Sequence, residues 1–139
     1  RSRNQITHWR FASSIAHPAR LAGQKMADYL KREEQYDSPL YDGMEVKENE
    51  FLHLFTVEWK VDCVVGIGAC CFSYDQCFDR DPVYVLEWAW IHPYFRRQGI
   101  VSGAWPEFAK QYQDFLVRPP FSSGMEGLLK KVGHRQGKE

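Results

Sequence analysis

The sequence lacks an excess of charge of either sign, because eighteen Lys and Arg residues balance eighteen Asp and Glu residues. A protein without a net field is not drawn as a whole to nucleic acid or anionic lipid, so its ligand must be recognised locally. The sequence also lacks the run of roughly 18 apolar residues that a membrane-spanning helix needs, and the apolar segment of a signal peptide. We therefore expect a cytoplasmic protein with no nucleic-acid or membrane partner.

Patterns of metal ligands are absent as well. The sequence has no C-x-x-C pair, and its five histidines are scattered without the spacing of a zinc site. Adjacent strand residues point to opposite faces, so Cys70 and Cys71 cannot readily bond to each other or converge on one metal ion. We predict no metal site and expect buried, reduced thiols at Cys63, Cys70, Cys71 and Cys77.

What the sequence does have is enough apolar material for one core. Its 139 residues are 44% hydrophobic and 15% aromatic, which fits a single domain over residues 1–139. Arg1 is not an initiator residue, so we treat the first residues as the edge of a fragment and predict no element there. The elements of the fold are sought in the rest of the chain.

Apolar spacing and turn residues predict an alternation of helices and strands. The predicted elements are a helix over 18–35, a hairpin of strands over 51–59 and 63–72, a strand over 83–91, a helix over 100–112, a short strand over 115–117, and a last helix from Ser122 or Ser123 to Val132. The later strand–helix–strand portion supplies a parallel pair. The order predicts an α/β fold in which helices flank a central mixed sheet.

Strand alternation also predicts which side chains share a face. Gly66 and Gly68 lie two residues apart, so they leave a bare patch where a bulge, another backbone or a ligand can approach. In the strand over 83–91, Trp88 and Trp90 share one face. The opposite face of that strand carries Glu87, Ala89 and Ile91.

A basic turn joins the strand over 83–91 to the helix that follows it. The turn reads Arg96-Arg97-Gln98-Gly99, and it opens the helix at Ile100. Backbone N–H groups and the positive end of a helix can face an anion at such a place, and Gly99 lets the backbone come close to it. From the residues alone, an anion-binding loop and a basic structural turn are both open.

The segment around this turn resembles a known family pattern. Ile91-His92-Pro93-Tyr94-Phe95-Arg96-Arg97-Gln98-Gly99-Ile100-Val101 is similar to the motif of the GNAT (N-acetyltransferase) superfamily, a strand ending V-x-P followed by Q/R-x-x-G-x-G/A and a helix. The resemblance implies a GNAT-like fold and acetyl-CoA as the cosubstrate. It implies that the backbone of Trp90, Ile91 and His92 binds the pantetheine arm, and that the pyrophosphate is held by amides of Arg96, Arg97, Gln98, Gly99, Ile100 and Val101.

The chain departs from the family pattern at three places. Val101 stands where the family has a small residue, and Leu129 stands where many members have a tyrosine that protonates the departing thiolate. The chain stops soon after Gly133, so we expect a shortened C-terminus without the terminal hairpin of many members. These departures leave open an alternative, a catalytically inactive module of this fold that binds CoA or another protein.

The leading hypothesis is an acetyl-CoA-dependent N-acetyltransferase acting on an amine of a small molecule or a protein. A free alkyl amine has a pKa of about 10, so the reaction needs a base. Glu87 is the predicted base, as the only carboxylate in the strand that feeds the loop; the alternative is a structural ion pair with an Arg or Lys. Candidates for the acid are Ser122, Ser123, Tyr112 or a water.

Other roles remain open. Ser122, at the start of the last helix, completes the predicted cofactor-binding residues. The 3′-phosphate of the nucleotide is bound by Lys130, Lys131 and Arg118, or these three residues form a solvated face. Trp59 and Trp105 are candidates to line the acceptor pocket, against the alternative of core packing. The sequence is also compatible with a homodimer.

Overall fold

The computed structural model describes residues 6–12, 17–45, 47–60, 63–76 and 81–134. Its elements are β1 (Ile6–Ala12), α1 (His17–Glu34), β2 (Glu50–Lys60), β3 (Cys63–Asp75), β4 (Val83–Ile91), a 3₁₀ turn (Pro93–Phe95), α2 (Ile100–Gln111), β5 (Leu116–Val117) and α3 (Ser123–Val132). In the part of the chain covered by these ranges, no helix is both long and apolar enough to cross a membrane.

The five strands form one sheet in the order β1-β2-β3-β4-β5. The first three pairings are antiparallel, and β4 and β5 are parallel. The prediction of a mixed sheet flanked by helices is therefore confirmed. Sequence analysis missed β1, which runs beside β2 from Ile6 opposite Val57 to Ala12 opposite Phe51.

The helices divide the core into two layers, one on each face of the sheet. Helices α2 and α3 cover one face, where Phe72, Leu86 and Phe108 are fully buried. Helix α1 covers the other face, where Ala27 packs with Leu52 and other residues of β2–β4. Both faces of β4 contribute to these layers, which explains why its sequence is almost continuously apolar.

A β-bulge at Glu87 corrects the predicted faces of β4. The pairing with β3 passes from Cys71 opposite Trp88 to Phe72 opposite Leu86, so Glu87 has no partner residue. Trp88 and Trp90 share the α1 face as predicted. Glu87 does not join Ala89 and Ile91 on the other face; its carboxylate lies against Ser73 of β3. The prediction was wrong for Glu87 because simple alternation cannot show where an extra residue enters a ladder.

A second bulge, at Ile67, separates the two strand glycines. The β2–β3 pairing passes from Phe55 opposite Gly68 to Thr56 opposite Gly66. A Cβ on Gly66 would meet the end of the Met26 side chain, whereas a Cβ on Gly68 would lie 2.8 Å from the carbonyl oxygen of Trp90. The predicted shared face is therefore wrong, and the backbone of β4 occupies the space at Gly68.

The cysteines partly follow the prediction. Cys63, Cys70 and Cys71 are free thiols; Cys70 and Cys71 are buried in opposite layers as predicted. Burial raises the pKa of both buried thiols, so they stay protonated. Cys63 is exposed, because it begins β3 beyond the cover of the helices, which corrects the prediction. Cys77 lies outside the described residues.

Caps fix the ends of the last helix. The Ser122 hydroxyl accepts a hydrogen bond from the amide of Met125 at 3.1 Å, as expected of an N-cap serine. Gly133 ends the helix in a left-handed conformation with φ 67°. Both residues were predicted as ends of this helix. Helix α3 packs against α2.

Candidate functional site

Strands β4 and β5 separate soon after they pair. They are in register only at Val85–Leu116 and Leu86–Val117, and the last bond runs from the amide of Arg118 to the carbonyl of Leu86, at 3.0 Å. Strand β4 continues to Ile91 with no β5 residue in register. Its edge is therefore open over this length.

A cavity of about 690 Å³ lies beside the end of this open edge. Its walls come from the end of α1, the end of β4, the loop after β4, the start of α2, and α3 along most of its length. Eight of the predicted cofactor-binding residues line it: Trp90, Ile91, Arg96, Arg97, Gly99, Ile100, Val101 and Ser122. A volume of this size is typical of small-molecule sites.

The loop after β4 presents free backbone donors to the cavity. Arg97 and Gly99 adopt left-handed conformations with φ 63° and 75°, and Gly99 is the N-cap of α2 without a side chain to cap it. The first helical bond runs from the amide of Gly103 to the carbonyl of Gly99, at 2.8 Å. The amides before Gly103 therefore have no helical partner. Together with the positive end of the helix they form a site for an anion.

Lys131 adds a positive charge above these amides. A Cβ on Gly99 would lie 4.0 Å from the Lys131 ammonium, which brings the last turn of α3 over the start of α2. Lys131 lines the cavity, whereas Lys130 is not part of the lining. Sequence analysis left Lys131 between a phosphate ligand and a solvated face, because the packing of α3 on α2 is not visible in the sequence.

Arg96 ties the loop to the rest of the fold. Its Nε donates to the carbonyl of Ile91 at 2.7 Å, and its Nη2 donates to both carboxylate oxygens of Glu33 on α1, at 2.8 and 2.9 Å. The guanidinium also lies 5.9 Å from the centre of the Trp90 ring. These contacts fix the loop against β4 and α1. The amide of Arg96, predicted to hold the pyrophosphate, donates to the carbonyl of Pro93 at 3.3 Å, and its cofactor contact stays a prediction.

Two predicted residues lie outside the cavity lining, His92 and Gln98. The amide of His92 donates to the carbonyl of Ile67 at 2.7 Å, and its Nδ1 accepts from the amide of Tyr94 at 3.1 Å. Gln98 donates its side-chain amide to the carbonyl of Tyr94 at 3.1 Å. Both residues shape the turn, and their cofactor contacts stay predictions.

The departures from the family pattern have structural explanations. Val101 is 8% exposed and packs into the core under α2, so its side chain fills space there. Leu129 is partly buried against the same core. Both side chains contribute to the core, and Val101 also lines the cavity.

Glu87 lies just beyond the last bond between β4 and β5. Its carboxylate accepts hydrogen bonds from the Ser73 hydroxyl and from Nε and Nη2 of Arg118, the latter at 3.1 Å. The structural ion pair weighed in the sequence analysis is thus present. A bulge beside an opening is a frequent place for functional side chains. The base role of Glu87 stays a prediction; Oε1 accepts one of these hydrogen bonds and Oε2 accepts two, so Oε1 keeps a lone pair for a proton.

The three candidate acid residues lie in two different places. Ser122 and Ser123 line the cavity. Tyr112 is 2% exposed, and its hydroxyl is 2.7 Å from Nε2 of His53. Burial lowers the pKa of His53 to about 3, so this pair is a neutral hydrogen-bonded network inside the core. Tyr112 therefore cannot reach a thiolate in the cavity.

The two tryptophans considered for an acceptor pocket are also placed. Trp105, on α2, is 6% exposed and packs in the core against Phe115, so the core-packing alternative holds for it. The side chain of Trp59 lies outside the described part of the structure. Among the described residues, no group of three or more His, Cys, Asp and Glu side chains could hold a metal ion.

Comparisons with known proteins identify the fold. No protein-family model and no curated protein sequence matches the chain. Solved structures match it over nearly its whole length. A GCN5-related N-acetyltransferase from Ralstonia eutropha has a TM-score of 0.68 and 11% identity, over 97% of this chain and 95% of that one. The chain has the GNAT fold.

Two further structures with the GNAT fold show the range of the similarity. AAC(6')-Iy, in complex with a bisubstrate analogue of CoA, has a TM-score of 0.65 and 16% identity, over 97% of this chain and 94% of that one. A ribosomal-protein-alanine N-acetyltransferase from Brucella melitensis has a TM-score of 0.61 and 9% identity, over 97% and 93%. At such low identity the likeness concerns the fold, and the ligand must be inferred from the site.

Proposed function

We propose that the protein binds acetyl-CoA in the cavity beside β4 and transfers the acetyl group to an amine. The observation that carries the proposal is the set of free amides at the start of α2, with Lys131 above them, at the end of an open strand edge. Acetyl-CoA has a pyrophosphate joined to an extended arm that contains amides. The site has N–H donors for the pyrophosphate, and next to them a strand edge that can pair with the arm.

Different residues of the site bind different parts of acetyl-CoA. Amides of residues 97–101 hold the pyrophosphate, since the amide of Arg96 already donates to Pro93, and Lys131 adds a charge-assisted contact to a phosphate oxygen. The exposed edge of β4, at Trp90 and Ile91, pairs with the amides of the pantetheine arm. AAC(6')-Iy has been solved with CoA and with a bisubstrate analogue of CoA, and it shares the fold.

The transfer step follows from the position of the bulge. The lone pair of the neutral amine attacks the thioester carbon, the C–S bond breaks, and the acetyl group forms an amide. Glu87, directly or through a water, takes the proton of the amine. A backbone amide of β4 polarises the carbonyl. With Leu129 at the position of the family tyrosine, Ser122, Ser123 or a water returns a proton to the thiolate.

Calorimetric titration and a transfer assay test the proposal in two steps. CoA is titrated into the protein, and acetyl-CoA is then supplied with a panel of amines while release of the free thiol is followed. We expect saturable binding and thiol release that depends on an amine. Absence of binding would refute the proposal. Binding without release on any amine would favour the inactive module, an alternative that the enzymes among the structural relatives do not favour.

The predicted base has its own test. Glu87→Gln keeps the size of the side chain and can still accept hydrogen bonds from Ser73 and Arg118, but it cannot take a proton. We expect kcat to fall at least about tenfold, while CoA binding stays unchanged. Transfer at the wild-type rate in this variant would show that another group is the base.

A further inference from the structure

A row of polar side chains crosses the α1 face of the sheet at the bulge of β4. Glu50 of β2 is directly opposite Ser73 of β3, and the Ser73 hydroxyl donates to Glu87 of β4. One step along the sheet, Leu52 and Cys71 are buried in the layer under α1. Glu50 and Ser73 lie two residues from them on the same strands, so the row shares their face and lies at the edge of that layer.

Carboxylates predominate around this row. Asp42 and Glu45 approach from the loop before β2, and Asp75 ends β3. Two of the neighbouring cations are already engaged: Lys47 lies 3.8 Å from Glu45, and Arg118 binds Glu87 and lies 4.0 Å from Asp75. The third, Arg20, donates to the carbonyl of Gly43 at 3.0 Å. The carboxylates outnumber the cations among them.

The Glu50 carboxylate is half-buried, and the cation that acts on it, Lys47, lies 3.8 Å from Glu45. Among the described residues we find no hydrogen bond or ion pair to this carboxylate. Burial raises the pKa of Glu50; Lys47 opposes this effect, and Glu87, Glu45 and Asp42 add to it. A carboxylate in this situation is stabilised when a further cation approaches it.

A buried hydroxyl beside the row also lacks a partner. Tyr41 is 4% exposed, and its hydroxyl has no hydrogen bond within the described residues. Glu50 and Asp42 are close enough to contribute to the raised pKa of Tyr41, after burial and Cys71. The Tyr41 ring lies 5.9 Å from that of Trp88, whose Nε1 is likewise buried without a partner. Buried polar groups are seldom left unpaired, so these two atoms are places where a water or a ligand atom can bind.

We propose that this row binds the acceptor, and that the acceptor carries a second ammonium group, held by Glu50, besides the amine that reacts near Glu87. The inference rests on the proposed transfer function, since it names the substrate class of that site. Glu50 and Glu87 are two strands apart, about 10 Å between backbones, which suits two cationic groups joined by a short chain. A single amine can meet only one of the two carboxylates.

The test compares 1,4-diaminobutane with butylamine, each titrated into the CoA-loaded protein. We expect the diamine to bind at least about tenfold more tightly than the monoamine, because its second ammonium makes a charge-assisted hydrogen bond. Glu50→Gln is expected to abolish this preference. Glu48→Gln makes the same charge change at an exposed neighbour and is expected to keep it.

Tyr41→Phe provides a second variant, which removes only an unpaired hydroxyl and so should not weaken the fold. We expect it to lower the affinity for the diamine and to leave CoA binding unchanged. No binding of the diamine, equal binding of both amines, or equal loss in Glu48→Gln and Glu50→Gln would overturn the inference. If the wild type does not bind CoA but the CoA-free protein still prefers the diamine, the proposed function is refuted and the cation site stands.

Discussion

The two ends of the open stretch of β4 differ in the groups that they present to a ligand. At Ile91 the strand meets the free amides of α2, Arg97 and Lys131, which suit an anion. At Glu87 it meets carboxylates of β2, β3 and the loop before β2, which suit a cation. In a chain whose charges sum to zero, separation along one strand creates two local fields. A thioester laid along that strand would bring an anionic cofactor to one end and a cationic acceptor to the other.

The largest expected effect comes from breaking the contact that holds the Ile91 end against β3. In Gly68→Ala the new Cβ would lie 2.8 Å from the Trp90 carbonyl oxygen and against Ile91, so backbone must move. We expect a loss of about 3 kcal/mol in the free energy of unfolding, measured by urea denaturation.

Gly66→Ala is the matched control for that change. Its Cβ meets only the flexible end of the Met26 side chain, 2.7 Å away. The loss should be under about 1 kcal/mol, because a methionine side chain can rotate away. Equal losses in the two variants would mean that the close approach of β4 at Gly68 does not constrain the strand.

His53 is a buried titratable residue that lies at neither end of the open stretch of β4. The pKa of His53 is about 3 in the folded protein and 6.5 in the unfolded chain, so between these values the unfolded state binds a proton that the folded state does not. The free energy of unfolding should therefore fall as the pH drops below 6.5, by about 2 kcal/mol at pH 4.5. Urea denaturation at a series of pH values measures it.

The matched variant for this group is His53→Gln, which can still bond to Tyr112 but cannot titrate. In this variant the free energy of unfolding should depend less steeply on pH between 6.5 and 4.5. An unchanged slope would show that other groups, such as His8, whose pKa is also lowered by burial, account for the acid sensitivity.

The anion-binding end is tested by Gly99→Val. Gly99 has φ 75°, which a β-branched residue adopts only with strain, and the loop amides would be displaced. We expect the Kd for CoA to rise at least about tenfold by calorimetry. Gly103→Val, on the exposed side of α2 where a Cβ meets nothing within 4 Å, should leave the Kd nearly unchanged.

The smallest expected effect is at Lys131. Lys131→Gln removes the charge above the loop, and the Kd for CoA should rise about fivefold, less at high salt because the contact is partly screened. Lys130→Gln, outside the cavity lining, is the control. If the two variants weaken CoA binding equally, Lys131 makes no direct contact with the phosphate and contributes only to the overall positive charge at this end of α3.

Local patterns in the sequence were sufficient for some parts of this site. The apolar run of β4 predicted its bounds, and Gly99 between a strand and a helix predicted the loop. The bulge at Glu87 and the faces of Gly66 and Gly68 were not predictable, because they depend on the register between strands. Contacts between distant elements were hidden for the same reason.

Two such distant contacts changed the interpretation of single residues. Lys131 becomes part of the anion site only because α3 packs on α2. Arg118 reaches Glu87 only because β5 pairs with β4. The chemistry of each side chain was predictable from residue type and local spacing. The groups that it contacts depend on tertiary packing and were not predictable.

A crystal structure of the protein grown with saturating CoA tests the central claim most directly. We expect density for the pyrophosphate at the amides of Gly99 and Ile100, with Lys131 in contact, and for the pantetheine arm along the edge of β4 toward Glu87. Density for CoA elsewhere on the molecule, or a cavity that stays empty at saturating CoA, would contradict it.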